Sequence, residues 1–229
     1  MNDYLIILSG GTGSRMKSSI PKQYIEIKEK PILFYTIKCF DLSLFSKVVI
    51  VVSDEWKPYV TDMVSREFDN SKFLYANAGS SRQESILNGL QVLVNLAVDD
   101  DNVVIHDGAR ANLSEKLIKE LLENGKYYDG VMPVLPVKDT IYVSKNGKEI
   151  SNLLNRDELY RGQAPELFNF QKYYKINNKL SSEELASIRG SSEIAFKNNM
   201  KIGLIEGDES NFKITTPEDL DVFKRILGE

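Results

Sequence analysis

Tyr4-Leu5-Ile6-Ile7-Leu8-Ser9-Gly10-Gly11-Thr12-Gly13-Ser14-Arg15-Met16 opens the chain and decides how the rest of it is read. Its first part is apolar without polar alternation, which suits a strand covered on both faces of a parallel sheet. The strand then runs into Gly10, Gly11 and Gly13. A backbone without Cβ atoms can approach a ligand closely and turn its N–H groups toward negative charge. Arg15 follows at once, and Lys22 comes soon after in Pro21-Lys22-Gln23. Two cations beside an anion-binding turn point to a nucleoside triphosphate, whose phosphates would screen their repulsion.

Further apolar runs repeat the first. Residues 48–52, 73–75, 103–105, 131–134 and 202–205 read as strands like residues 5–8. Amphipathic patterns lie between them. Ile86, Leu87, Leu90, Leu93 and Val94 share one helical face, as do Leu113, Leu117, Ile118, Leu121 and Leu122, and again Leu220, Phe223, Ile226 and Leu227. Strand and helix alternating along the chain predict an α/β, doubly wound, mostly parallel sheet. At 229 residues the chain suits one domain spanning 1–229, with no linker or repeat dividing it. Residues 138–162 break the rhythm. A strand-like run at 140–143, the turn Lys145-Asn146-Gly147-Lys148 and a polar return predict a protruding β-hairpin arm. Such an arm buries little alone, so it is expected to pack on a partner subunit.

Composition narrows the function. A net charge of −4, with 27% charged residues of both signs interspersed, argues against nucleic-acid binding in bulk. No apolar run approaches the ~20 residues of a membrane span and no signal-like segment leads the chain, so a cytoplasmic protein is expected. The single cysteine, Cys39, excludes an internal disulfide and reads as an inert packed thiol. A dinucleotide fingerprint would need a third glycine where Met16 stands, and a P-loop would need Gly-Lys-Ser/Thr, which is absent. A reductase using NAD(P) and a non-catalytic nucleotide sensor are the alternatives from other classes.

Three more constellations carry chemistry. Gly79-Ser80-Ser81-Arg82-Gln83-Glu84-Ser85 precedes a helix; its hydroxyls can cap that helix or meet a nucleobase edge. Val103-Val104-Ile105-His106-Asp107-Gly108-Ala109-Arg110 puts an aspartate at the C-terminal end of a buried strand, where open α/β sheets bind ligands. A carboxylate there suits Mg²⁺ held jointly with phosphate oxygens. His106, the only histidine, is expected to bond backbone rather than to catalyse, and Arg110 to hold Asp107 or its loop. Near the C-terminus, Thr216 before Pro217 reads as a helix cap, and Lys213 just ahead of it adds a third cation.

Taken in order, these motifs resemble the cytidylyltransferases that activate polyol phosphates. The resemblance rests on the glycine loop, Pro21-Lys22-Gln23, residues 79–90, His106-Asp107-Gly108-Ala109-Arg110, Val137-Lys138-Asp139-Thr140, Asn155-Arg156, and Asn211-Phe212-Lys213-Ile214-Thr215. It implies a Rossmann-like, GT-A-like nucleotidyltransferase fold. It also implies a reaction in which an acceptor phosphate attacks the α-phosphorus of CTP and pyrophosphate leaves. By the same resemblance Arg15, Lys22, Arg156 and Lys213 are catalytic and Asp107 sits by Mg²⁺. Leu8, Ser9, Gly10, Gly11, Gly13, Gly79, Ser80, Arg82 and Ser85 bind the nucleotide. Asp139, Thr140, Arg156, Ala164 and Arg189 face the acceptor, and the 138–162 arm completes a neighbour's site in a homodimer.

The chain departs from the family's pattern in three places. Gln163-Ala164-Pro165-Glu166 stands where Gln-Thr-Pro-Gln is usual. Ile188-Arg189-Gly190-Ser191-Ser192-Glu193 replaces an acidic Thr-Asp segment. Ala111 occupies the place of a proline. Ser9-Gly10-Gly11, in place of an Ala-Ala-Gly type loop, leans toward a ribitol 5-phosphate acceptor, with 2-C-methyl-D-erythritol 4-phosphate as the alternative.

Overall fold

Strand β1 (Asp3–Leu8) lies inside a mixed sheet, as its unbroken apolar run requires. The computed structural model describes residues 1–11, 16 and 20–229. After β1 come the short hairpin β2 (Glu26–Ile27) and β3 (Lys30–Pro31), α1 (Ile32–Lys38), β4 (Lys47–Val52), α2 (Lys57–Glu67) and β5 (Phe73–Asn77). Then follow α3 (Arg82–Leu93), β6 (Asn102–Asp107), α4 (Glu115–Asn124) and β7 (Gly130–Pro136). The arm carries β8 (Tyr142–Val143) and β9 (Asn152–Leu153), followed by β10 (Tyr160–Gly162) and β11 (Glu166–Asn169). The chain closes with α5 (Phe170–Asn177), α6 (Ser182–Ser187), α7 (Ser191–Lys197), β12 (Ile202–Glu206) and α8 (Pro217–Ile226).

The sheet order is β10-β7-β11-β6-β1-β4-β5, with β12 pairing β7. Strands β6, β1, β4 and β5 run parallel, and β12 runs parallel to β7. Alternate residues enter opposite layers, which is why these strands are apolar throughout. Leu5, Ile7, Val48, Ile50 and Val104 pack with α1, α2 and α4 on one face. Tyr4, Ile6, Val49, Val51, Val103 and Ile105 pack with α3, α5 and α7 on the other. A smaller cluster joins Ile27, Ile32, Ala109, Ala111, Ile214 and Phe223, so α8 is seated beside the loop that follows β6. Ala111 is buried there as a packing residue.

All six strands read from the sequence are present, but two antiparallel strands of the main sheet were not foreseen. β11 inserts between β6 and β7, and β10 continues along β7. Between the pairs Gly162↔Val134 and Leu167↔Val131 one strand advances five residues while the other advances three. The extra residues bulge out at Gln163-Ala164-Pro165, and a proline beside so short an apolar run hides the strand from periodicity. The hairpin arm forms, but its ladder is only Tyr142↔Leu153 and Val143↔Asn152, not a tight Asn-Gly hairpin. Asn146 closes a wider loop instead, accepting from the backbone N–H groups of Lys148 and Glu149 at 2.9 and 3.0 Å. Val94 and Ile226, read as helix-face residues, are exposed because their helices end there. Cys39 is partly buried, its thiol against the Ala111 carbonyl, and burial pushes its pKa up.

Candidate active site

The C-terminal ends of β1 and β6 open onto one cavity of about 420 Å³. Leu8, Gly10, Gly11, Lys22, Gln23, Gly79, Ser80, Ser81, Arg82, Ser85, Asp107, Gly108, Ala109, Lys213 and Thr215 line it. Parallel strands place their C-terminal loops side by side, so segments far apart in sequence converge here. Gly108 donates to the Leu8 carbonyl at 2.8 Å, welding the two strand ends. A Cβ on Gly10 would stand 2.2 Å from that of Ala78, so the loop after β1 passes the one after β5 too closely for any side chain.

The glycine loop is held from behind. The Gln23 amide donates to the carbonyls of Ser9 and Gly11 at 2.7 and 2.8 Å, and the Tyr24 phenol donates to Ser9 at 2.6 Å. Tyr24 in turn stacks on Trp56, ring centroids 4.5 Å apart. With its carbonyl oxygens tied back, such a turn can offer N–H groups to an anion. Lys22 reaches across to the Ile214 carbonyl at 2.6 Å, which brings the loop's cation beside the segment carrying Lys213.

Asp107 is the hub. Lys213 Nζ lies 3.0 Å from one carboxylate oxygen, Arg110 Nε 3.3 Å from the same oxygen, and Arg82 Nη2 3.3 Å from the other. Burial alone would push this carboxyl up, but Arg82, Lys213 and Arg110 outweigh it and hold it far below the usual carboxylate range. The cluster is therefore an ionised acid inside three cations, with positive charge in surplus toward the cavity. The segment bearing Lys213 is fixed independently. Ile214 N–H donates to Ala109, Arg110 donates to the Asn211 carbonyl, and Gln163 donates to Asp208.

At the opposite wall α3 begins. Ser81 caps it, accepting from Glu84 N–H at 3.1 Å, and Glu84 reaches back to the Ser80 N–H at 2.6 Å. Gly79 N–H donates to the Ser85 hydroxyl at 3.0 Å, leaving that hydroxyl's own proton available to a ligand. The capping and ligand readings of this motif are thus compatible.

A cationic phosphate cradle facing a small polar loop is what nucleotide transfer needs, and comparison with known proteins agrees. The family model described as IspD, 2-C-methyl-D-erythritol 4-phosphate cytidylyltransferase, matches residues 4–229. The chain belongs to this family. It is a nucleotidyltransferase of the cytidylyltransferase type, and its IspD branch is the one the sequence held as the alternative to a ribitol-phosphate enzyme. The Francisella tularensis 2-C-methyl-D-erythritol 4-phosphate cytidylyltransferase is 28% identical, with a TM-score of 0.81 over 98% of this chain and 99% of that one. A crystal structure of a 4-diphosphocytidyl-2C-methyl-D-erythritol synthase is 27% identical, with a TM-score of 0.80 over 99% and 98% of the two chains. The corresponding Anaerococcus prevotii enzyme, 23% identical over 100% and 99%, shares the fold with a TM-score of 0.82.

Of the residues singled out in the sequence, Leu8, Gly10, Gly11, Lys22, Gly79, Ser80, Arg82, Ser85, Asp107 and Lys213 line the IspD-type cavity. Gly13 and Arg15 lie outside the described residues. Ser9 is buried behind the loop, its hydroxyl 3.0 Å from the Tyr24 phenol, and does not line the cavity. Nor do the acceptor residues Asp139, Thr140, Arg156, Ala164 and Arg189. Asp139, Thr140, Arg156 and Arg189 are exposed, with Arg156 on the arm donating to the Lys138 carbonyl at 3.1 Å. Ala164 is buried, and its carbonyl accepts from Asn211 at 2.7 Å. Gln23 and Thr215 line the cavity although no role was read for them. Hydrogen-bonding side chains inside a quoted motif were the available signal.

His106 is fully buried, and its Nε2 donates to the Arg110 carbonyl at 3.0 Å. Its Nδ1 has no partner among the described residues, so the ring is neutral and structural. Burial pushes its pKa down to about 4. Unfolded His binds a proton near pH 6.5, so the unfolded state takes up more protons between about pH 6.5 and 4. Stability is accordingly expected to be full above that window and to fall through it, by on the order of 3 kcal/mol. Urea midpoints at pH 7, 6 and 5 measure this, and a His106→Gln variant that kept the same slope would exclude His106 as its source.

Among the described residues no helix is long and apolar enough to cross a membrane.

Proposed function

We propose that this chain transfers the cytidylyl group of CTP to 2-C-methyl-D-erythritol 4-phosphate. An oxygen of the acceptor phosphate attacks the α-phosphorus of CTP, the bond to the β-phosphate breaks, and pyrophosphate leaves. The observation that carries the reading is the Lys213–Asp107–Arg82 cluster in a cavity whose other wall is the 79–85 loop. It is supported by a family match running from residue 4 to residue 229.

Little covalent work falls to the protein in such a displacement, so positioning and charge stabilisation supply most of the rate. Lys22 and Lys213, with Arg15 by sequence, neutralise the triphosphate and the charge that develops on it. Gly10, Gly11, Gly79 and Ser85 accommodate the nucleoside. Among the described residues Asp107 is the only carboxylate lining the cavity, and they hold no cluster of three metal-ligating side chains. That donor set fits an Mg²⁺ ion arriving on the triphosphate, since Mg²⁺ is commonly held by one or two carboxylates with phosphate oxygens and waters. When bound, the ion would supply further neutralisation of the leaving pyrophosphate.

Asp139, Thr140 and Arg156 are proposed to serve the acceptor from a partner subunit through the 138–162 arm, and Arg189 to serve it from the 188–193 segment. Exposed Tyr142, Ile150, Leu153, Leu154 and Tyr160 give that arm an apolar surface to bury. Sedimentation equilibrium of the whole chain checks the pairing, and a monomer at micromolar concentration would remove it. The Ser9 loop pattern leaned toward ribitol phosphate, but the family match supports methylerythritol phosphate better.

Pyrophosphate release with CTP and Mg²⁺, measured across a panel of polyol phosphates, is the direct test. Turnover with methylerythritol phosphate is expected to exceed that with ribitol 5-phosphate by at least about 10²-fold, since a site built for one acceptor leaves polar groups unpaired with another. The reverse order would overturn the acceptor assignment while leaving cytidylyl transfer intact.

A further inference from the structure

Glu166 is a buried acid behind the cavity, and the reading above gives it no task. It begins β11, directly after the bulge at Gln163-Ala164-Pro165. Its Oε2 lies 3.8 Å from Arg82 Nη2, the same nitrogen that stands 3.3 Å from Asp107. The other terminal nitrogen, Arg82 Nη1, donates to the hydroxyl of Ser191, a fully buried residue that opens α7. Burial pushes the Glu166 carboxyl up, against the opposing pull of Arg82 and of the nearby Ser191 and Ser192 side chains. Behind them the Tyr173 phenol donates to the Ser191 carbonyl at 2.9 Å, and Gln83 donates to that phenol at 2.9 Å.

One guanidinium is thus gripped from β6, β11 and α7 while its stem leaves α3. Both acceptor-side departures from the family's pattern, 163–166 and 188–193, meet on it. A planar fork held at both terminal nitrogens has its orientation set, whereas one held by a single carboxylate closes onto that carboxylate. An uncharged amide at 166 would give Arg82 no such second anion.

We propose that Glu166 is a positioning residue, which with Ser191 holds the Arg82 guanidinium between Asp107 and the acceptor-side wall and keeps it from collapsing onto Asp107. The inference rests on the cytidylyltransferase reading of the cavity. Of the residues read as nucleotide contacts only Arg82 touches Glu166; the glycine loop, Lys22 and the 79–85 backbone do not. Loss of the carboxylate therefore falls on the transfer step and the acceptor.

Steady-state kinetics of the whole chain with CTP, Mg²⁺ and methylerythritol phosphate, or whichever polyol phosphate the panel shows to turn over, provide the test. Glu166→Gln is expected to lower kcat about tenfold and raise the acceptor KM at least about threefold, with the CTP KM within about twofold of wild type. Arg82→Lys combined with Glu166→Gln is expected to lose no more than about twofold beyond Arg82→Lys alone, because both act through one contact. Unchanged kinetics in Glu166→Gln, a loss that multiplies fully with Arg82→Lys, or an equal rise in the CTP KM would overturn the proposal. If Glu166→Gln does not fold, Ser191→Ala removes the other anchor of the same guanidinium and must show the same split between the two KM values. A wild type silent with methylerythritol phosphate but active with another acceptor defeats only the acceptor assignment.

Discussion

Lys213→Ala is expected to lower kcat/KM for cytidylyl transfer by about 10²- to 10³-fold, the usual loss for a preorganised transition-state donor. Its ammonium lines the cavity 3.0 Å from Asp107 and keeps a third of its side-chain surface open to solvent. The fold does not depend on it. Ile214 N–H to Ala109, Lys22 to the Ile214 carbonyl and Arg110 to the Asn211 carbonyl all hold the segment without that side chain. Asp107 also retains Arg82 and Arg110. A half-wet ion pair contributes about 0–1 kcal/mol, so the thermal midpoint should move by a few degrees at most. Initial rates of pyrophosphate release at saturating acceptor measure the effect. Activity within about threefold of wild type would remove Lys213 from the catalytic set.

How much of this was legible beforehand follows from what each element buries. The parallel strands could be read because both faces are covered and nothing polar interrupts 5–8, 48–52 or 103–105. Helices α3, α4 and α8 could be read because each has one wet face and a Ser or Thr cap, at Ser81, Ser114 and Thr216. β10 and β11 could not. Tyr160-Arg161-Gly162 is exposed, and Glu166-Leu167-Phe168 follows a proline and carries a buried acid, so neither has a clean period. Most of the cavity lining was visible for the same reason the strands were: it is built from contiguous motifs at strand ends. The grip on Arg82 was not, since it joins residues 82, 107, 166 and 191 through tertiary contacts no spacing encodes. Arg156 lies away from the cavity at the ends of β1 and β6, so nothing in that cavity's geometry gives it a task.

Asp107→Asn is expected to damage both activity and stability, and the two losses separate by pH. The amide keeps the shape but removes the charge that Lys213, Arg110 and Arg82 share, leaving three cations facing one another at the end of β6. Removing one partner from a buried ion cluster costs about 3–5 kcal/mol, and the open cavity side brings the expectation here to about 2–3 kcal/mol. Because the folded-state pKa of Asp107 is depressed, its stabilisation is complete above the ordinary carboxylate value near 3.9 and is lost as pH falls below it. The stability gap between wild type and variant should therefore be constant from about pH 8 to 5 and shrink below about pH 4. The loss from His106 between about pH 6.5 and 4 occurs in both proteins, but Asp107 raises the His106 pKa, so in the variant that loss extends to lower pH. Activity should fall by at least about 10²-fold at every pH where the variant is folded, since the cations that position the phosphates lose their common anchor. Urea midpoints at pH 7, 5 and 3.5, paired with turnover at pH 7, decide it. A variant as stable as wild type at neutral pH would mean that the three cations hold their places without Asp107, and that the carboxylate serves the nucleotide alone.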